Sequence, residues 1–62
     1  MKLREIRKQK GLSQGKLSEL SHVDRVSISR YETGRKKPGV DNLKRLANAL
    51  DVSTDELLGE SA

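Results

Sequence analysis

The sequence predicts an all-α domain of five short helices, and three observations carry that prediction. Residues Leu12 to Gly34, LSQGKLSELSHVDRVSISRYETG, read as two helices joined by a tight turn. Leu17, Val23 and Ile28 fall where the two arms touch, and Tyr31 extends the inner face of the second. Beyond Pro38-Gly39, Leu43, Leu46, Ala47 and Leu50 recur at helical spacing. Start and stop residues punctuate the segments: Ser13, Asp24 and Ser53 as N-caps, Gly11, Gly34 and Gly59 as terminators.

The first helix is expected over about residues 2–10, with Leu3, Ile6 and Arg7 on one face, and Gly11 ends it as a C′ residue. The second, about 14–21, has weak local support. Lys16 stands where a capping box wants Glu or Gln, and Gly15 lowers helix propensity in the first turn. It must lean on packing by Leu17 and on close approach through Ser18 and Ser21, with Leu20 left partly exposed. Asp24 caps the third helix, about 25–33, whose Ile28 and Tyr31 point inward while Arg25, Val26, Ser29 and Arg30 lie on or beside the outer face. Pro38-Gly39 forbids continuation, and the fourth helix follows over about 40–50, with Asp41 favourably placed near its start. Ser53-Thr54-Asp55-Glu56 forms a capping box for the last helix, about 54–58. Glu60, Ser61 and Ala62 are expected to fray.

Sixty-two residues allow one domain, residues 1–62, with a small core. There is no Cys, and the single His cannot build a multi-histidine metal site; no metal or cofactor is expected. One Tyr is the whole aromatic content, so the core must be aliphatic. The stacking platforms used on single-stranded nucleic acid are missing, which favours a duplex as partner. No apolar run approaches the roughly 20 residues a membrane span needs, and MKLREIRKQK contains no signal-peptide hydrophobic region. A cytoplasmic, nucleoid-associated location is the expectation.

Charge is segregated along the chain. Residues 1–37 hold 11 Lys/Arg against 4 Asp/Glu, a net of +7, whereas residues 38–62 hold 2 against 5, a net of −3. An ordinary solvated surface would account for the total of +4, but the segregation favours an N-terminal two-thirds that faces a polyanion.

LREIRKQKGLSQ, then LSELSHVDRVSISRYETGRKKP, then LKRLANALDVSTDELL: in that order these segments resemble the lambda-repressor/Cro type of helix-turn-helix domain found in phage and bacterial transcriptional regulators. The resemblance covers about residues 2–59. It implies a five-helix unit whose second and third helices form the helix-turn-helix, with the third in the major groove of double-stranded DNA, and a regulator that represses transcription. Arg25, Val26, Ser29 and Arg30 match base-reading positions. Arg suits the O6/N7 edge of guanine, and Val26 suits a thymine methyl unless it is an edge-of-core residue. Ser13, Gln14, Thr33, Arg35, Lys36 and Lys37 match positions that grip the phosphate backbone, and Gln14 is also placed to brace the first residue of the recognition helix. Arg7 and Glu32 match an ion pair that ties the first helix to the third in relatives, a scaffold role.

Two positions depart from the family pattern. His22 stands where Gly is usual, so positive φ with some strain is expected there. Ser18 stands where Ala is usual and brings a hydroxyl that needs a backbone carbonyl. The resemblance also implies a homodimer on a pseudo-symmetric operator, with recognition helices about 34 Å apart. Little outside the five helices is available to hold such a pair, so it is expected to form on DNA through the fourth and fifth helices, unless the chain is an excised domain.

No nucleophile–base–acid grouping can be assembled, so an enzyme is not expected. The competing reading is a small protein-interaction module, such as an antitoxin or anti-regulator, with Leu20, Val26, Leu57 or Leu58 in an exposed apolar patch.

Overall fold

The computed structural model describes residues 1–59, and Glu60, Ser61 and Ala62, expected to fray, lie outside them. Five α-helices follow one another: α1 (Leu3–Gln9), α2 (Gln14–Ser21), α3 (Arg25–Glu32), α4 (Val40–Leu50) and α5 (Thr54–Leu58). No strand occurs among the described residues. α2 packs on both α3 and α4, while α1 closes against α3 and α5.

The caps form where short polar side chains precede apolar turns. Ser13 Oγ accepts from the Lys16 amide at 3.0 Å, and Asp24 Oδ2 accepts from Val26 and Ser27 at 3.0 and 3.4 Å. Ser53 Oγ accepts from the Glu56 amide at 3.1 Å, but Glu56 does not complete the reciprocal box on the backbone. Its Oε1 instead accepts from the Ser53 hydroxyl, at 3.5 Å. Gly11 ends α1 with φ +71°, a conformation that costs an L side chain about 1–2 kcal/mol and glycine nothing comparable. α1 has no side-chain cap; the Lys2 amide before it donates to the Leu57 carbonyl at 2.8 Å, joining the chain's start to α5.

The turn between α2 and α3 is held by two serines. His22 adopts φ +59°, the strained conformation its place implied. Ser18 Oγ reaches across the turn to donate to the Val23 carbonyl at 2.7 Å. Ser21, buried, donates to Leu17 O and accepts from Val23 N. Both serine hydroxyls of this crowded corner thus have partners, which lets α2 and α3 approach closely without leaving either orphaned.

The core is aliphatic apart from Tyr31. Leu3, Leu17, Ile28, Leu46, Leu50 and Leu57 are fully buried, with Ile6, Val23, Ala47 and Tyr31 nearly so. Leu43 and Leu12 pack at its margin. Leu20 is 48% exposed and Val26 55%, which removes Val26 from the core and places it outward. No helix among the described residues is long and apolar enough to cross a membrane.

Candidate nucleic-acid interface

α3 divides its side chains cleanly. Ile28 and Tyr31 enter the core, and Arg25, Val26 and Arg30 are exposed, with Ser29 half-buried between them. These four line one open hollow together with Gln14 from the start of α2 and Thr33 and Arg35 beyond α3. Three guanidinium groups and no carboxylate border it. The acid next to Arg25, Asp24, is occupied as the cap of α3, and among the described residues neither Arg25 nor Arg30 enters an ion pair.

The six residues expected at phosphates do not all share this hollow. Gln14, Thr33 and Arg35 do. Lys36 and Lys37 are exposed but line a second hollow with Met1, Tyr31, Pro38 and Leu58. The division arises at the end of α3, where the Arg30 carbonyl accepts from both Arg35 N (2.9 Å) and Lys36 N (3.4 Å) and turns the chain sharply. Ser13 lies outside both hollows, exposed, with its hydroxyl oxygen accepting from Lys16 N. The Thr33 hydroxyl donates to Ser29 O and Arg30 O of its own helix, so a phosphate would have to draw that proton away from α3.

Behind the hollow sits a buried carboxylate. Glu32 has no accessible side-chain surface, and Arg7 keeps 11%. Arg7 Nε donates to Glu32 Oε2 at 2.7 Å and Nη2 to Oε1 at 3.1 Å, a two-pronged contact; Nη1 donates to the Leu12 carbonyl at 2.8 Å. Arg4 Nε, half exposed, adds a longer contact to Oε1 at 3.4 Å. Gln14 Nε2 donates to the same Oε1 at 3.1 Å. Gln14 therefore turns its amide nitrogen to the end of α3 rather than to its first residue, because an ionised carboxylate is the stronger acceptor.

Burial pushes the Glu32 carboxyl upward, but hydrogen bonds from Arg7 and Gln14, the Arg7 charge and the Arg4 contact together hold it below its ordinary value. The bond to Glu32 raises the Arg7 guanidinium in turn, against its own desolvation. Among the described residues no buried side-chain polar atom lacks a partner, and no three of His, Cys, Asp and Glu come together as for a metal. Sequence reasoning anticipated the Arg7–Glu32 pair but not the Arg4 and Gln14 contacts. It also missed the bond from Asn42 Nδ2 to the Tyr31 hydroxyl at 2.9 Å. None of these has a local spacing signal.

Comparison with known proteins accords with this geometry. The helix-turn-helix family model matches residues 3–57. The chain is 39% identical over 57 residues to the HTH-type transcriptional activator BcrR of Enterococcus faecalis, covering 92% of this chain and 28% of BcrR. It is 36% identical over 59 residues to the HTH-type transcriptional regulator ImmR of Bacillus subtilis, covering 95% of this chain and 46% of ImmR. It thus spans only about a quarter to a half of these relatives. Among solved structures, the restriction-modification controller protein C.AhdI from Aeromonas hydrophila superposes with a TM-score of 0.86 at 43% identity, over 90% of this chain and 85% of that one. The chain belongs to the lambda-repressor/Cro-like helix-turn-helix family of DNA-binding transcriptional regulators.

Proposed function

We propose that this chain is a sequence-specific reader of double-stranded DNA that lays α3 in the major groove and represses transcription from the site it occupies. The observation that carries the reading is the hollow on α3, bordered by Arg25, Arg30 and Arg35 with no carboxylate. An α-helix with its side chains is about 10–12 Å across, and the major groove of B-DNA is about 12 Å wide. Arg25 and Arg30 donate to base edges, Val26 offers an apolar contact for a thymine methyl, and Ser29 adds a hydroxyl. Gln14, Arg35, Lys36 and Lys37 hold the backbone on either side, with Ser13 and Thr33 as further contacts. Residues 1–62 act as one such domain, in the cytoplasm at the nucleoid. Two copies pair on a pseudo-symmetric site through the region of α4 and α5, with half-sites about 34 Å apart.

The reading as a protein-interaction module requires a continuous apolar patch. Leu57 is fully buried and Val26 lies among arginines, so the four residues such a patch would use are not presented together.

Selection of duplexes from a random pool tests the proposal, followed by titration of the recovered duplex and of scrambled duplex. Preference for a recovered two-fold sequence, lost on Arg25→Ala or Arg30→Ala, is the expected result. Equal affinity for both duplexes would overturn sequence reading, and a recovered site without two-fold symmetry would overturn the pairing. A reporter promoter carrying the site separates repression from the activation that the name of BcrR records.

A further inference from the structure

We propose that Glu32 is a positioning residue for the DNA interface: its buried carboxylate fixes which way the Gln14 amide faces, and thereby presents Gln14 to DNA preorganised. This deepens the reading above and rests on it. Glu32 itself has no accessible side-chain surface and cannot touch a ligand. Gln14 is half-buried, borders the arginine hollow, and donates from Nε2 to Glu32 Oε1 at 3.1 Å.

The orientation follows from the chemistry of the acceptor. An ionised carboxylate only accepts, so the carbonyl end of the Gln14 amide cannot face it. The nitrogen must turn inward, which leaves Oε1 and the second N–H for the hollow. A free glutamine at a helix start has several rotamers and two amide faces to lose when it binds. Here that loss is already met in the unbound protein. Glu32 can hold this pose because Arg7 clamps both of its oxygens and is itself tied to the Leu12 carbonyl, just before α2 begins. The ion pair that joins α1 to α3 thus also sets one donor and one acceptor of the interface.

The test is a double-mutant cycle with Gln14→Ala and Glu32→Gln, read as affinity for the selected duplex after the folded fraction of each variant is measured. Glu32→Gln is expected to weaken binding about fivefold more in the native background than in the Gln14→Ala background, the scale of one hydrogen bond. The slope of affinity against salt should stay unchanged, because Gln14 is neutral and displaces no counterion. A cycle without coupling, with binding intact, overturns this inference alone. Where Glu32→Gln does not fold, the native protein still decides. The Gln14 Nε2 proton bonded to Glu32 should exchange more slowly than either amide proton of exposed Gln9, both free and on DNA. Exchange as fast as Gln9 in either state overturns the proposal. A protected Gln14 amide in a chain that binds no selected duplex overturns the DNA-binding reading, and this inference with it.

Discussion

Arg7 and Arg25 are the same side chain in opposite situations. Arg7 is almost wholly enclosed and every one of its nitrogens donates to the protein, two to Glu32 and one to Leu12. Arg25 is exposed, enters no ion pair among the described residues, and shares its hollow with two further arginines. The difference shows how a basic chain this small divides its cations. Those matched to an internal acid hold helices together, and those left unmatched beside one helix give that surface a positive field. The exposed Lys16–Glu19 pair, at 3.7 Å, belongs to neither group and contributes little.

The largest expected effect breaks the enclosed side of this comparison. Arg7→Met leaves buried Glu32 with only the long contact to half-exposed Arg4 in place of its two-pronged counter-ion, which costs about 3–5 kcal/mol. A domain of this length has roughly 3–9 kcal/mol in all. Urea denaturation should therefore find the variant barely folded, and an unchanged midpoint would show that the pair is dispensable.

On the open side, Arg25→Ala and Arg30→Ala should each cost about 1–3 kcal/mol on the selected duplex with thermal midpoints unchanged. Fluorescence anisotropy measures the first and calorimetry the second. Lys36→Ala sits between the two sides, since it faces a different hollow from Arg25. It should weaken all duplexes alike and lower the salt slope by about 1 if it meets a phosphate.

Acid separates the two sides in another way. Folding lowers the Glu32 pKa, so its contribution to stability is complete above the unfolded value of about 4.3 and is lost as pH falls through the lower folded value. Denaturation midpoints followed into that acid range should fall less steeply in Glu32→Gln than in Glu19→Gln, whose carboxylate is exposed. The smallest effect lies in the turn. His22→Gly relieves left-handed strain but adds freedom to the unfolded chain, and the balance favours the variant by about 0.5 kcal/mol.

What the residues by themselves made legible was local; the Arg7–Glu32 pair, 25 residues apart, came only through the family resemblance. Caps at Ser13 and Asp24, the strained turn residue His22, and the outward set on α3 each depend on neighbours within four residues, where spacing dictates geometry. Val26 needed the structure: a valine beside an apolar stripe packs or protrudes depending on how α2 is seated. Gln14 and Glu32 stand 18 residues apart and meet only because α2 and α3 cross at their ends. The separation of Arg35 from Lys36 and Lys37 was hidden for a related reason, because it hangs on one carbonyl, that of Arg30, accepting two successive amides. A run of three basic residues looks uniform until the chain bends within it.

The bond from the Lys2 amide to the Leu57 carbonyl makes residue 2 an observer of residue 57. That proton can trade places with solvent deuterium only when the two extremities of the domain separate. Its rate of isotope uptake therefore gauges how often residue 2 lifts off α5, from a single resonance and with no label attached.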